Sequence, residues 1–350
     1  IIVEWPLRPS YGGIAKTLSF SVTMASDDNV VLKEVDDYFR LFKSGRVERF
    51  YDVHGSLYVP PSPENPTFGA FSKDVIISPH VSARLYLPEN TTPSQKLPVL
   101  VYYHGGGLCI ESAFFTWVHR YVNSLASKLN VVAISVDYRL APEVDVPTIY
   151  EDCWTALQWV ASHADENSST TSAYNDSWLT NFGDFSKVFL VGDSAGGNIV
   201  YHMTMRAGKE TLNNEMKITG SILAYPYFLI RGIDIDEEGL AYKIWVNICP
   251  PLESGLLSPI DSPLINPLSE KAPSLSGLGC SRLMLCMGKK DYVIPIEIGG
   301  KFVEGVKKSG WNGELEFIEV DEEHAFQIYK PELEEAKRMM MCYAAFINRL

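Results

Sequence analysis

Ser194 lies in a segment with the residue types and the spacing of a serine nucleophile. Residues 192–196 are Gly-Asp-Ser-Ala-Gly and directly follow an apolar run at 188–191. A Gly-x-Ser-x-Gly pattern between a strand and a helix is typical of a nucleophile elbow, a sharp turn that projects the serine hydroxyl. The glycine spacing excludes a dinucleotide-binding fingerprint, and Asn198 stands where a phosphate-binding loop needs lysine. The segment therefore predicts nucleophilic attack by Ser194, with the amino terminus of the following helix favouring negative charge.

A run of three glycines at 105–107 ends a second apolar run, 97–103. Acyl transfer forms an oxyanion that needs backbone N–H donors, and glycines let the chain turn these groups inward without crowding them. We predict that the N–H groups of Gly106, Gly107 and Ala195 bind the oxyanion. Taken alone, the run has a flexible glycine turn as its alternative interpretation.

A serine nucleophile needs a base and an orienting acid, which should follow it in the order Ser, Asp, His. Five of the seven histidines precede Ser194, and His202 falls on the helix directly after the elbow. His324 follows the apolar run 315–320 in an acidic loop. We therefore predict that His324 is the base, with a surface histidine as the alternative.

Asp291 is the predicted acid of this triad. It follows the apolar run 282–287 through a Gly-Lys-Lys turn, which places it at the end of a strand. Three other aspartates between the nucleophile and the base fall in a stretch without regular pattern: Asp234, Asp236 and Asp261. Together the residues predict acyl transfer through Ser194, His324 and Asp291, a reaction that requires no cofactor and no metal.

The elements that must position these side chains follow from the hydrophobic pattern. Helix-like stretches near 118–129 and 150–162 separate some of the apolar runs, and this alternation predicts an α/β fold with a mostly parallel sheet and helices on both faces. The apolar residues at 31–42 recur at three- and four-residue spacing and predict an amphipathic helix. The strand-like runs are 75–77, 81–87, 97–103, 131–136, 188–191, 218–225, 282–287 and 315–320.

Composition narrows the classes of partner. The 350 residues carry 43 acidic against 30 basic side chains, a formal net charge of −13, which argues against nucleic acid or an anionic membrane as a partner. Six scattered cysteines without a Cys-x-x-Cys motif indicate reduced core thiols, and no apolar run is long enough to span a membrane. We expect a cytoplasmic enzyme that acts on a small molecule.

The amino-terminal segment has a different character from the rest of the chain. The sequence opens on Ile1, and a Met-Ala-Ser stretch at 24–26 resembles a natural start. We expect residues 1–23 to be a non-native or disordered extension and residues 24–350 to form one domain.

As a set, the motifs resemble those of plant carboxylesterases of the hormone-sensitive-lipase-like α/β-hydrolase group, which includes 2-hydroxyisoflavanone dehydratases and gibberellin receptors. The resemblance implies the α/β-hydrolase fold, the same triad and oxyanion hole, and an amino-terminal cap. We expect about 30–65 and 228–273 to form this cap. The matching stretches are His-Gly-Gly-Gly at 104–107, Val-Asp-Tyr-Arg-Leu-Ala-Pro-Glu at 136–143, Tyr-Glu-Asp at 150–152, Gly-Asp-Ser-Ala-Gly-Gly-Asn at 192–198, Ser-Pro-Leu-Ile-Asn-Pro at 262–267 and Glu-His-Ala-Phe at 323–326.

The resemblance also supplies the alternatives. Gibberellin receptors lack the catalytic histidine, so His324 favours an enzyme over a binding module. Dehydratases and the related alkaloid cyclases use the same pocket for elimination or cyclisation, and Glu-Ser-Ala-Phe at 111–114 and Lys-Ser-Gly-Trp at 308–311 resemble that branch. Legume dehydratases often carry threonine at the nucleophile position, so Ser194 favours hydrolysis.

Two departures from the family pattern concern packing and pocket shape. Leu108 replaces an aromatic residue often found after the glycines, and 144–149 differs from the usual sequence there. The prediction is a carboxylesterase for small, fairly apolar esters; a dehydratase or cyclase is the alternative, and a non-catalytic binding protein is a third.

Overall fold

The computed structural model describes residues 27–36, 38–50, 57–92, 94–164, 175–233, 236–252 and 254–349. The expected extension at 1–23 and the aspartate at 234 lie outside these residues. The strands are β1 (Val31–Val35), β2 (Phe39–Phe42), β3 (Val47–Arg49), β4 (Ala70–Ser78), β5 (Val81–Pro88), β6 (Leu97–Tyr103), β7 (Val132–Asp137), β8 (Gly183–Asp193), β9 (Ile218–Ala224), β10 (Cys280–Gly288) and β11 (Glu314–Val320). The helices are α1 (Thr116–Leu129), α2 (Val146–Ser162), α3 (Ser177–Phe182), α4 (Ala195–Ala207), α5 (Leu240–Ile248), α6 (Ile296–Lys308), α7 (Phe326–Tyr329) and α8 (Glu334–Asn348).

Strands β4 to β11 form one eight-stranded sheet in the order β11-β10-β9-β8-β6-β7-β5-β4. The six strands from β11 to β7 are parallel, whereas β5 is antiparallel to β7 and β4 is antiparallel to β5. The predicted α/β fold and the eight predicted strands are therefore confirmed. Because the carboxyl ends of parallel strands meet at one edge, the loops after β6, β8, β10 and β11 lie at the same edge of the sheet.

The continuous apolar run of β6 has its explanation in the two faces of the sheet. Alternate side chains of a strand point to opposite faces. Val99 and Val101 pack into one hydrophobic cluster with residues of α2, α4 and α6, and Leu100 packs into another with residues of α1 and α8. Helices therefore cover both faces, as predicted, and β6 has apolar side chains on each.

The predicted helix over 31–42 is wrong, because these residues form the hairpin of β1 and β2. Val35 pairs with Phe39, and Val31 pairs with Phe42. Residues four apart share one face of a helix, but the same spacing also places two residues opposite each other across a tight turn. Val35, Phe39 and Phe42 are buried. Their burial in a hairpin, which β3 extends, explains the apolar spacing without a helix.

Among the residues that the structure describes in the irregular interval 228–273, α5 is the one α-helix, and a short 3-10 helix follows at Pro259–Asp261. Residues Ala241, Ile244 and Trp245 of α5 are buried. Lys33 of β1 donates a hydrogen bond from Nζ to the carbonyl oxygen of Asn247 at 2.6 Å, which joins the hairpin to α5. Strands β1–β3 form a small antiparallel sheet, which we call the hairpin below. We call this hairpin and α5 the outer elements, since both lie outside the eight-stranded sheet. None of the helices over the described residues has the length and apolarity to span a membrane.

Candidate active site

Ser194 occupies a strained turn between β8 and α4. Its backbone φ is 51° and its ψ is −116°, a conformation that side-chain-bearing residues rarely adopt. Its N–H donates to the carbonyl oxygen of Ala224 at 2.8 Å, and its own carbonyl accepts from the N–H of Tyr227 at 2.8 Å. These hydrogen bonds to the end of the neighbouring β9 hold the turn in place, as strained positions require.

The glycines around Ser194 are required by close backbone approach. A Cβ on Gly196 would collide with the carbonyl oxygen of Tyr103, and a Cβ on Gly192 would collide with the backbone of Gly196. The glycines of the Gly-x-Ser-x-Gly pattern are therefore required because the elbow packs closely against the end of β6.

His324 and Asp291 are joined by a short hydrogen bond, although 33 residues separate them. Nδ1 of His324 lies 2.6 Å from Oδ2 of Asp291. The other carboxylate oxygen, Oδ1, accepts from the N–H groups of Val293 and Ile294, each at 2.8 Å. Since a carboxylate accepts, Nδ1 carries the proton and Nε2 of the neutral imidazole is left as a proton acceptor.

The glycine loop after β6 presents backbone N–H groups. Gly106 and Gly107 have φ values of 86° and 62°, in the left-handed region that favours glycine. Among the hydrogen bonds of the described residues, neither of these two N–H groups has a protein acceptor. Ala195 is the first residue of α4, where the N–H has no partner within the helix.

One cavity of about 300 Å³ is lined by Ser194, His324, Gly106 and Gly107. Asp291 lies behind His324, with its side chain fully buried. The cavity brings together loops from the ends of β6, β8 and β11 with side chains of the outer elements. Its other lining residues are Tyr38, Ile110, Glu111, Asp193, Tyr227, Leu240, Ala241, Ile244, Tyr292, Val293, Glu323, Ala325 and Tyr329.

Two buried carboxyls in this cavity were not among the predicted site residues. Burial raises the pKa of Asp193 to about 6, and its carboxylate accepts a hydrogen bond from the hydroxyl of Tyr102. Burial also raises the pKa of Glu111 to about 8, with a further increase from the negative charge of Asp193. From the sequence, Glu111 is singled out only as part of the Glu-Ser-Ala-Phe stretch at 111–114 that resembles the dehydratase and cyclase branch, with no role assigned to it.

Two histidines that were not predicted to be the base, His104 and His202, pack against tyrosine rings. The ring of His104 stacks on Tyr138 with 4.2 Å between centroids, and burial lowers the pKa of His104 to about 4. The ring of His202 stacks on Tyr150 and donates from Nε2 to the carbonyl oxygen of Leu264 at 3.0 Å. Within the described residues, no group of three or more His, Cys, Asp or Glu side chains is arranged to hold a metal ion.

Comparison with known proteins identifies the class. A family model described as alpha/beta hydrolase fold matches residues 100–327, which is more than half of the chain. Together with the parallel sheet and the elbow, this match shows that the chain belongs to the α/β-hydrolase family.

Its relatives include enzymes of two kinds. A 2-hydroxyisoflavanone dehydratase of Glycine max is 43% identical over 326 residues, 91% of this chain and 98% of that enzyme. Probable carboxylesterase 13 of Arabidopsis thaliana is 40% identical over 337 residues, 92% of this chain and 99% of that protein. Among solved structures, an esterase of Pyrobaculum calidifontis is similar with a TM-score of 0.58 and 26% identity, covering 79% of this chain and 84% of that one. The chain is thus an enzyme of a family with esterase members.

Proposed function

We propose that the chain is a serine carboxylesterase that hydrolyses small, apolar carboxylic esters. The observation that carries the proposal is the 2.6 Å hydrogen bond between His324 and Asp291, with His324 lining the same cavity as Ser194 at its elbow. Carboxylesterases among the relatives support the same reaction.

In the proposed mechanism, Nε2 of His324 removes the proton from the Ser194 hydroxyl, and the serine oxygen attacks the ester carbonyl carbon. Asp291 holds the imidazole in the productive tautomer and stabilises its cation. The imidazolium then gives its proton to the leaving alcohol, which leaves an acyl-enzyme. Water, deprotonated by the same histidine, releases the acid and restores Ser194.

The oxyanion formed in both steps would accept hydrogen bonds from the N–H groups of Gly106, Gly107 and Ala195. Glycine dihedral angles in the left-handed region and a helix amino terminus support this role. No step of this reaction uses a cofactor or a metal ion.

The size of the cavity and part of its lining support a small substrate with apolar groups. Ile110, Tyr227 and Ile244 contribute apolar or aromatic surface, and the volume of about 300 Å³ is at the lower end of ligand pockets. We infer that the hairpin and the segment at 228–273 act as a cap, since Tyr38 and Leu240 from these regions also line the cavity. The specificity for acyl and alcohol groups would then depend on these outer elements.

Replacement of the nucleophile tests the proposal. Ser194→Ala should lower kcat for hydrolysis of p-nitrophenyl butyrate by about 10⁴-fold or more, because no other group supplies the attacking oxygen. Ser186→Ala, an exposed serine on the same strand β8, is the matched control and should retain wild-type turnover. Near-wild-type turnover by a folded Ser194→Ala variant would contradict the proposal.

A second candidate function is dehydration or cyclisation without ester cleavage, favoured by 43% identity to a dehydratase. In that reaction His324 would remove a proton from carbon, and the same N–H groups would hold an enolate. Turnover of a substrate that lacks an ester bond separates the two functions. Saturable binding without turnover or covalent labelling would instead indicate a binding protein.

A further inference from the structure

Glu111 has a buried carboxyl in the cavity, and the proposed ester hydrolysis gives this carboxyl no role. It lines the cavity with Ser194 and His324 and is only 7% exposed. Its Oε1 accepts a hydrogen bond from the hydroxyl of Tyr329 at 3.0 Å. Tyr329 ends α7, five residues after His324, so this contact links the loop that carries the glycines to the loop that carries the base.

The backbone around Glu111 holds the side chain in a defined position. Glu111 has a φ of 74°, in the left-handed region that glutamate rarely adopts. On one side, the N–H of Ile110 donates to the carbonyl of Gly106 at 2.9 Å. On the other side, the hydroxyl of Ser112 donates to Asp137 at 2.6 Å. Strain of this kind persists only where neighbouring contacts enforce it, and it is common at functional sites.

The surroundings favour the protonated form of this carboxyl at neutral pH. Burial and the negative charge of Asp193 raise the pKa of Glu111 to about 8, although the hydroxyl of Tyr329 and the nearby indole of Trp117 act to lower it. Tyr38, Cys109 and Tyr138 also interact electrostatically with this carboxyl. Glu323, in the same cavity, has a half-exposed side chain that pairs with Lys330 at 3.1 Å. The cavity therefore contains one buried glutamate suited to donate a proton and one half-exposed glutamate at its rim that is paired with a lysine.

We propose that Glu111 is the catalytic acid of a β-elimination in this cavity and protonates a hydroxyl leaving group on the carbon β to a carbonyl. The proposal rests on the second candidate function, elimination. It adds a residue with a role that hydrolysis does not need, since there the imidazolium of His324 protonates the leaving alcohol.

The step balances in atoms and electrons. Nε2 of His324 takes the proton from the α-carbon, and the electron pair moves onto the carbonyl oxygen, which the backbone N–H groups of Gly106, Gly107 and Ala195 hold as an enolate. The pair then returns to form the α,β double bond as the β C–O bond breaks. The departing oxygen takes the proton of Glu111 and leaves as water. The proton on His324 returns to the Glu111 carboxylate through solvent, and no oxidant or reductant is involved.

Two ketones that differ in their leaving group test this role in the full chain. β-Hydroxypropiophenone must lose hydroxide and needs an acid, whereas β-(p-nitrophenoxy)propiophenone loses p-nitrophenolate, which leaves without a proton. Glu111→Gln keeps the size of the side chain and the acceptor for Tyr329 but has no acidic proton. It should slow elimination from the hydroxy ketone by about 100-fold, the usual contribution of general acid catalysis. This loss should exceed any loss in the nitrophenoxy reaction or in hydrolysis of p-nitrophenyl butyrate by at least about tenfold.

The pH profile gives a second readout that needs no variant. Elimination from the hydroxy ketone by the wild-type chain should fall as pH rises through the Glu111 pKa of about 8, because the acid form is required. Elimination from the nitrophenoxy ketone should show no such decrease. Glu304→Gln, which removes an exposed carboxylate from α6, is the control for the change in charge and should match wild type on all three substrates.

The outcomes distinguish the two proposals. If the wild-type chain hydrolyses the ester but eliminates from neither ketone, the elimination function fails and the role of Glu111 fails with it. If the wild-type chain eliminates from both ketones and Glu111→Gln slows neither, only the role of Glu111 is overturned. Equal losses on all three substrates would show that Glu111 is structural. If Glu111→Gln does not fold, the two wild-type pH profiles decide, and parallel profiles would overturn the role.

Discussion

The cavity is formed by two kinds of element that are fixed by different interactions. The loops at the strand ends are fixed by backbone hydrogen bonds between neighbouring loops, such as those from Ser194 to Ala224 and from Lys289 to Val320, each at 2.8 Å. The outer elements are held by buried apolar side chains, such as those of Phe39 and Trp245, and by long cationic side chains, such as that of Arg49. Backbone hydrogen bonds therefore position the proposed catalytic groups on the strand-end loops. Side-chain contacts position the residues of the outer elements that shape the pocket.

Arg49 is the clearest example of the second kind of contact. From β3 its guanidinium donates to the carbonyl oxygens of Cys109 at 2.7 Å and Ala141 at 3.2 Å. It also pairs with both carboxylate oxygens of Glu143, at 2.6 and 2.7 Å. Cys109 lies two residues after the last glycine of the 105–107 loop. The Arg49 side chain therefore connects the hairpin to the loop that presents the proposed oxyanion donors.

The largest effect should come from the strand-end loops. Asp291→Asn keeps the shape of the side chain but changes which imidazole nitrogen carries the proton, so we expect kcat for p-nitrophenyl butyrate to fall by about 10⁴-fold. Steady-state kinetics checks this, with Asp261→Asn as the control in the 228–273 interval, where Asp261 pairs with Arg231 at the surface. A loss of less than tenfold for Asp291→Asn would mean that the contact with His324 is not catalytic.

A second prediction compares the same substitution in the two regions. The pKa of Glu111 is raised in the folded state, to about 8 from 4.5, so the native protein binds this proton more tightly than the unfolded chain. Wild-type stability should therefore fall as pH rises from about 4.5 to about 8, by up to about 1.4 kcal/mol per pH unit from this group. Glu111→Gln has no such proton, so its stability relative to wild type should increase over this range and then level off.

Chemical denaturation of both proteins at a series of pH values measures this difference. Glu48→Gln, at a half-exposed position of the hairpin, is the matched control and should show no comparable trend. A flat difference for Glu111→Gln would show that its carboxyl is ionised in the native state at neutral pH, which would also weaken its proposed role as an acid.

The smallest effect on activity should come from the anchoring of the outer elements. Arg49→Ala removes hydrogen bonds from a charged donor and should lower the free energy of unfolding by about 2 kcal/mol. Looser positioning of the glycine loop should lower kcat/KM by about tenfold. Arg40→Ala, in the same hairpin with exposed partners Glu34 and Glu48, should cost less than about 1 kcal/mol. Equal effects of the two substitutions would show that Arg49 does not anchor the loop.

The same division explains what the sequence could predict. Positions 192 and 196 need glycine because a Cβ there would collide with neighbouring backbone atoms. Apolar runs such as 97–103 indicate a strand that is buried on both faces of a sheet. These constraints are local in sequence, so the elbow, the eight strands and the fold could be derived from them. Asp291 and His324 could be predicted at strand ends because each lies a few residues after an apolar strand, β10 and β11 respectively.

The outer elements carry no comparable local constraint. Val35 and Phe39 satisfy a helix and a tight hairpin equally well by spacing, and only their pairing and burial in the folded chain decide between them. The sequence assigned no role to Glu111 for the same reason, since its raised pKa arises from burial and from Asp193, which lies 82 residues away in sequence. Long-range packing, rather than residue type, gives these residues their properties.

Covalent labelling with a fluorophosphonate tests the central claim, that Ser194 is a nucleophile activated by His324, most directly. Trypsin releases residues 188–206 as one peptide in which Ser194 is the only serine, so mass spectrometry assigns the label without ambiguity. We expect that this peptide gains the phosphonyl group in the wild-type chain, that Ser194→Ala abolishes the label, and that His324→Gln slows its formation by at least about 100-fold. An unlabelled 188–206 peptide from a chain that hydrolyses p-nitrophenyl butyrate, or a label on another serine, would contradict the role of Ser194 as the nucleophile.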